Sequence, residues 1–169
     1  MPVQDSYEDN FVTGKAGQIA DLKDSSIDGV RNAEASADML FGRAVAFDPA
    51  NENAALLLAS ASDLVMGIVV ESHAYEQSAA GELNAAGTGA KAGAMVNVMR
   101  KGSIYAVCED GCSPGDPLFV RFQNGDGPGA LLAATSGADD VTTVVAAGRW
   151  KTAAAAGGIA VLEFDFVNS

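Results

Sequence analysis

The side chains best suited to catalysis or metal binding in this sequence are one histidine, His73, and two cysteines, Cys108 and Cys112. Nucleophilic catalysis needs a general base beside a serine or cysteine, and His73 lies far along the chain from both cysteines. A zinc site takes about four nitrogen, sulfur or oxygen ligands, which is more than this set supplies. We therefore expect His73 to be a loop residue and both cysteines to be free thiols. A local disulfide and a metal site are the alternatives for the pair.

Three glycine-rich stretches resemble binding loops only in part. A phosphate-binding loop needs an upstream glycine and a Ser or Thr after its lysine, but Ala16 follows Gly14-Lys15. Gly87–Gly93 has a Gly-x-Gly-x-x-x-Gly spacing in place of the dinucleotide-binding pattern, and no βαβ context surrounds it. Asn124–Gly127 resembles the start of a calcium loop, whose twelfth position should be Glu and is here Thr135. We interpret all three stretches as loops or turns.

The remaining candidates for chemistry have ordinary structural explanations. Asp139 and Asp140 are adjacent carboxylates, but an acidic chain places such pairs side by side by chance. Trp150 is better explained as a core or interface aromatic than as a platform for a ligand. We therefore predict that the chain is not an enzyme, and that it has no catalytic residue, no cofactor and no metal site.

The charge balance bounds the partners that the chain can bind. Its 22 Asp and Glu residues outnumber its 10 Lys and Arg residues, which gives a net charge of −12. Affinity for nucleic acid comes largely from basic groups that displace counterions from phosphates, so we predict no direct nucleic-acid partner. Anionic membrane surfaces are disfavoured for the same reason. The charge favours solubility, or an outer surface that keeps crowded copies apart.

The length and the absence of sorting signals bound the organisation of the chain. A chain of 169 residues can bury enough surface to fold as one domain without disulfides. Residues 1–10 are polar and acidic, unlike a secretion signal, and no apolar stretch of about 18 residues could span a membrane. We expect synthesis in a reducing cytoplasm and no association with membranes.

Most of the chain consists of short stretches with β character, separated by turn signals. Ile159–Val167 alternates apolar and polar residues, with Glu163 and Asp165 on the polar face. Leu64–Glu71 is apolar on both faces, as in a strand covered on both sides. Ser113–Asp116 has the proline and glycine of a type II turn. The further predicted strands are Gln18–Leu22, Met39–Phe47, Ala54–Ala59, Leu118–Phe122, Gly129–Ala134 and Val141–Trp150. A helix is the alternative for Ala54–Ala59, because leucine and alanine favour helices.

Two regions decide how these strands connect. Met95–Arg100 and Ile104–Cys108 flank Lys101-Gly102, for which a tight hairpin is the first interpretation. One bent strand with a glycine bulge is the alternative. Lys23–Asp38 and Ser72–Ala94 are predicted loops. A chain of about eight short strands joined by turns indicates an all-β fold whose sheets stack or close on themselves.

The first 18 residues show little periodicity, with isolated apolar side chains among polar residues and glycines. We predict an extended N-terminal arm over residues 1–18 and a single β-sandwich domain over residues 19–169. A disordered tail is the alternative, but Tyr7, Phe11 and Val12 favour docking, because a purely solvating tail has little use for apolar side chains. The candidate partner-contact residues are these three and Arg43, which lies on one face of the predicted strand Met39–Phe47.

An ordered set of stretches resembles the structural cement protein family of tailed bacteriophages, the proteins that decorate and clamp capsid shells. Each stretch is a strand with its turns, and together they span nearly the whole chain. The stretches are Phe11–Leu22, Phe41–Val45, Gly67–Glu71, Val96–Val107, Gly115–Arg121, Gly148–Trp150 and Gly157–Leu162.

This resemblance implies a jelly-roll-like β-sandwich on the outer surface of an icosahedral phage head. The implied partners are the major capsid protein, bound across neighbouring subunits, and further copies of the chain in a dimer or trimer. The implied location is the virion, after synthesis in the host cytoplasm. The family has no catalytic residues to carry over, and the Ala-rich stretch 151–156 and the Cys108/Cys112 pair are departures from its pattern.

Two other classes of function compete with this interpretation. A carbohydrate- or surface-binding β-sandwich displayed on a virion would expose several aromatic side chains or hold calcium, and one Trp with three Tyr offers few such platforms. An enzyme with a β-barrel fold is a third class, which the single histidine and the absence of catalytic motifs disfavour.

Overall fold

The computed structural model describes residues 14–72, 89–134 and 141–167, and in these ranges the chain contains strands and turns but no helix. The expected all-β class is confirmed. The strands are β1 (Ile19–Asn32), β2 (Met39–Leu40), β3 (Ala44–Phe47), β4 (Ala54–Leu56), β5 (Val65–Val69), β6 (Gly89–Ala90), β7 (Met95–Cys108), β8 (Pro117–Arg121), β9 (Leu131–Leu132), β10 (Val141–Trp150) and β11 (Gly158–Asp165).

Nine of these strands form one sheet, which closes into two rings that share strand β7. The sheet order is β1-β4-β3-β5-β7-β11-β10-β8-β9, and two additional pairings join β1 to β7 and β7 to β9. The first ring therefore contains β1, β4, β3, β5 and β7, and the second contains β7, β11, β10, β8 and β9. Strands β2 and β6 form a separate two-stranded sheet. The jelly-roll-like topology remains a prediction, with which this pairing is compatible.

Strand β7 supplies side chains to two separate hydrophobic cores. Val96 and Val98 in its first half belong to one cluster, with Val30 of β1 and Val45 of β3. The second half of β7 belongs to the other cluster, with residues of β8, β10 and β11. The members of that second cluster include Ile104, Ala106, Cys108, Leu118, Val120, Trp150, Ala160, Leu162 and Phe164. Ala44 and Ala46 of β3 and Ile68 of β5 also belong to that second cluster, so it packs strands of the first ring against strands of the second. Each large apolar side chain that is fully buried contributes about 1.5–3 kcal/mol.

The hairpin predicted at Lys101-Gly102 is wrong, and the bent-strand alternative is correct. β7 runs without reversal from Met95 to Cys108, and Gly102 has a φ of 139°. A reversal there would have placed both halves of β7 in one ring. Instead β5 pairs beside Val98 and Met99, and β11 pairs along residues 101–108.

The loop predicted for Lys23–Asp38 is wrong over its first ten residues, which belong to β1. Only Val30 and Asn32 of that stretch are buried, so the apolar alternation on which a strand prediction depends is missing. The single strand predicted for Met39–Phe47 is divided into β2 and β3 by a turn at Gly42, whose φ is 76°.

The predictions that depend on clear alternation are confirmed. In β11 the side chains of Ala160, Leu162 and Phe164 are buried, while Glu163 is exposed. The central strand β5 is covered on both faces, because Ile68 belongs to the second core and its neighbour Val69 to the first. At the predicted type II turn, the amide of Asp116 donates to the carbonyl of Ser113 at 3.1 Å.

Candidate partner-binding surface

The root of the N-terminal arm, residues 14–18, is bonded to the body of the protein. The amide of Gly17 donates to the carbonyl of Tyr105 at 2.8 Å, and the amide of Tyr105 donates to the carbonyl of Gln18 at 2.8 Å. On the other side, the amide of Glu71 donates to the carbonyl of Gly17 at 2.8 Å. Lys15 and Glu71 add an ion pair at 3.8 Å. The arm root thus lies between β7 and the end of β5.

Glycines make this close approach possible. A Cβ on Gly17 would lie 2.9 Å from the amide nitrogen of Glu71, and the residue has a φ of 85°. Gly42 faces it with a φ of 76°, and a Cβ there would lie 2.8 Å from the nitrogen of Gly17. A Cβ on Gly14 would lie 2.3 Å from the ring of Tyr105. Both the direction of the arm root and its contact with Tyr105 therefore depend on the absence of side chains.

Tyr7, Phe11 and Val12, the three candidate contact residues of the arm, lie outside the described residues. The described chain begins at Gly14, which lies against Tyr105. The position of this first residue shows where the arm joins the body, on the face of β7 that carries Tyr105.

Arg43, the fourth candidate, is half-buried between β2 and β3. Its Nη1 donates to the carbonyl oxygen of Asp126 and, at 3.4 Å, to that of Pro128. Burial lowers the pKa of the guanidinium, while the carboxylates of Asp126 and Glu109 oppose that shift. Arg43 therefore holds the loop after β8 against the body. The arm root and Arg43 meet at the Phe41–Gly42 turn, since Gly17 contacts Phe41 and Gly42.

Of the residues that could do chemistry, the two cysteines lie within the described ranges. Cys108 and Cys112 are free and buried, and burial raises the pKa of both thiols. The Sγ of Cys108 donates to Oδ1 of Asp110 at 3.3 Å. Within the described ranges, no group of three or more His, Cys, Asp or Glu side chains is placed to hold a metal ion. His73 lies outside those ranges.

Trp150, the only tryptophan, is a core residue. It is 1 % exposed, and its Nε1 donates to the carbonyl of Leu132 at 3.3 Å. A buried indole offers no platform to a sugar ring. In the part of the chain that the structure describes, no helix is long and apolar enough to cross a membrane.

One surface that the sequence did not indicate combines a protruding apolar residue with a groove. The pairing of β1 with β7 steps from Asp21 opposite Ser103 to Ser26 opposite Lys101, so residues 22–25 form a bulge. Leu22 in this bulge is 73 % exposed. Beside it lies an open groove of about 550 Å³ between β1, β7, β10 and β11. The only signal in the sequence was a lone leucine in a polar run.

The comparisons with known proteins agree with this architecture. The family model described as "Structural cement protein (E217 gp24/Pam3 gp6)" matches residues 3–165. A chain in the solved structure of the capsid of Myoviridae phage XM1 is similar with a TM-score of 0.70 and 17 % identity, covering 98 % of each chain. No protein with a curated description matches this sequence significantly.

The structural match establishes the fold, and the family match covers nearly all of the chain, including most of the N-terminal arm. Strands of both rings and the arm root lie within the matched residues. The chain therefore belongs to the structural cement protein family.

Proposed function

We propose that the chain is a non-enzymatic capsid component that binds the outside of an icosahedral phage head across neighbouring major capsid subunits and stabilises the shell. The observation that carries this proposal is the family match over residues 3–165. The similarity to a chain of a phage capsid structure supports it. Such a role needs surfaces that bind protein partners and needs no reactive group.

The N-terminal arm is proposed as one contact with the shell. Its root is fixed to the body by three backbone hydrogen bonds of 2.8 Å, so a pull on the arm is transmitted to β5 and β7. An arm of 13 residues ahead of Gly14 can span about 40 Å when extended. An extended segment can add to the edge of a partner's sheet, while its side chains provide specificity. Tyr7, Phe11 and Val12 are proposed as those side chains.

Arg43 is proposed to contribute to partner binding through the loop that it holds. Its bonds to the carbonyls of Asp126 and Pro128 fix the loop in one conformation. A fixed loop loses less entropy when it binds than a mobile one. Because many copies act on one shell, modest affinity per copy is enough when the attachment is multivalent.

The proposal is tested by sedimentation of the purified chain with heads assembled without their cement protein. We expect the chain to pellet with these heads in a saturable manner, and a Tyr7→Ser, Phe11→Ser variant to bind at least about tenfold more weakly. A Val3→Ser variant is the matched control within the arm. Absence of the unaltered chain from the pellet at all concentrations would overturn the proposal, and binding to glycans in its place would favour the carbohydrate-binding alternative.

A further inference from the structure

The groove beside the β1 bulge holds an unusual share of the positive charge of the chain. Lys23, Lys101, Arg149 and Lys151 line it, and these are four of only 10 Lys and Arg residues in a chain of net charge −12. Four carboxylates, those of Asp21, Asp24, Glu163 and Asp165, line it as well. The groove is therefore electrically balanced, while the rest of the chain carries the whole negative excess.

The charges in the groove are only partly paired within the molecule. Lys101 pairs with Asp165 at 3.1 Å, and Lys151 pairs with Glu163 at 3.5 Å. Among the described residues, Lys23 and Arg149 have no ion-pair partner, and both are exposed. Two cations thus remain available at the rim for carboxylates from outside the molecule.

The bulge that carries Leu22 is an ordered projection. The amide of Lys23 donates to Oδ1 of Asp21 at 2.9 Å, and Oγ of Ser25 donates to the carbonyl of Leu22 at 3.1 Å. Asp24 has a φ of 58°, a conformation that Asp adopts more readily than most residues. The bulge therefore presents Leu22 to solvent in a fixed position, so little entropy is lost when a partner covers it.

We propose that this groove surface, defined as Leu22, Lys23, Lys101, Arg149 and Lys151 with the groove between them, docks a second copy of the same chain. The inference rests on the proposed function and names the surface through which copies associate. Two copies of charge −12 repel each other over most orientations. The electrostatic repulsion between them is smallest where the local charge is balanced. A patch that carries both signs of charge can also pair with the same patch on a two-fold-related copy.

The same two-fold symmetry brings Leu22 into contact with the partner copy. Leu22 lies next to the groove of its own molecule, so a two-fold axis that passes between Leu22 and the groove places Leu22 over the groove of the partner copy, and the reverse. Ala147, which is half-buried, lines the groove, and its methyl group is an apolar surface against which a leucine can pack. An apolar centre within a polar rim is the usual anatomy of a protein interface.

The test is the self-association constant of the full chain, measured by sedimentation velocity for Leu22→Asp and for its matched control, Leu64→Asp. Leu64 is 74 % exposed, as Leu22 is, but it lies before β5 and away from the groove. We expect Leu22→Asp to weaken self-association by about tenfold or more and Leu64→Asp to leave it unchanged. A Lys23→Glu, Arg149→Glu variant should weaken it as well, through repulsion from the partner's carboxylates.

Three outcomes would overturn the inference. They are an unaltered chain that stays monomeric, equal effects of the two leucine variants, and normal self-association of Leu22→Asp with loss of binding to phage heads. The last result would assign the surface to the capsid contact. An unaltered chain that self-associates but does not bind phage heads would instead contradict the proposed function and leave this inference standing.

Discussion

Arg121 at the end of β8 and Glu109 after β7 form a paired contact at one end of the second ring. Nε of Arg121 donates to Oε2 of Glu109 and Nη2 donates to Oε1, each at 2.8 Å. The side chain of Arg121 is 6 % exposed. The pair thus joins two strand ends across a buried space, and both fork geometry and burial make it stronger than a surface ion pair.

Replacement of Glu109 by Gln should destabilise the protein by about 2–3 kcal/mol, because it removes the carboxylate charge that faces Nε and Nη2 of the buried guanidinium at 2.8 Å. The measurement is the free energy of unfolding in urea. The control is Glu163→Gln, which breaks the exposed pair with Lys151 and should cost less than about 1 kcal/mol. Equal costs for the two variants would show that the Arg121–Glu109 pair behaves as a surface contact.

The two thiols should be inert in the folded protein. Both are buried, and burial raises the pKa of Cys108 and Cys112, so the reactive thiolate is scarce at neutral pH. We expect a thiol-specific disulfide reagent at pH 8 to modify them slowly in buffer and rapidly in denaturant. Rapid stoichiometric reaction of the folded chain would contradict the buried position of the pair.

The same burial gives a dependence of stability on pH. Because the folded-state pKa of each thiol is raised, their stabilising contribution is fully present below the unfolded-state value of about 8.5 and falls as pH rises above it. The free energy of unfolding should therefore decrease more between pH 7 and pH 10 for the natural chain than for a Cys108→Ala, Cys112→Ala variant. An identical decrease in both would exclude the thiols as its source.

The arm root should tolerate no side chain at Gly17. A Cβ there would approach the nitrogen of Glu71 at 2.9 Å, so Gly17→Ala combines steric strain with an unfavourable φ. The matched control is Gly93→Ala, with a φ of 76° and open space around the Cβ position. We expect about 1 kcal/mol of destabilisation for Gly93→Ala and at least about 2 kcal/mol for Gly17→Ala. Similar values in urea denaturation would mean that the backbone around Gly17 can move apart.

Strands could be predicted from the sequence where one face is exposed to solvent and the other is buried. β11 alternates strictly, and its buried face was predicted residue by residue. β1 was mostly missed because its residues 22–25 form a bulge and most of its other residues are exposed or half-buried, so the strand shows no apolar alternation. The course of β7 through Gly102 was misjudged because the two halves of the strand serve different cores, and local sequence does not report which core a strand faces.

The candidate partner surface could be predicted only where its residues are close together in the sequence. The arm residues Tyr7, Phe11 and Val12 were identified from composition, and the structure describes the chain only from Gly14. The groove is assembled from β1, β7, β10 and β11, so its balance of charge exists only after folding. The Arg121–Glu109 pair was missed because the two residues come together only in the folded structure, and nothing in the local sequence indicates that they are buried.

Removal of residues 1–13 should separate the role of the arm from the stability of the body. We expect this truncation to lower the melting temperature by less than about 2 °C, because the hydrogen bonds of Gly17 and Gln18 that fix the root to the body remain. Binding to heads that lack cement protein should fall far more. Truncation to residue 18 removes the hydrogen bonds of Gly17 and Gln18 and should lower both. A large loss of melting temperature on removing residues 1–13 alone would show that these residues belong to the core.

Binding across neighbouring capsid subunits is tested by an electron cryo-microscopy map of phage heads assembled without cement protein and then saturated with this chain. We expect added density on the outer surface, positioned across contacts between neighbouring major capsid subunits. Added density confined to the surface of single subunits, density on the inner face, or a map identical to that of the undecorated head would contradict it.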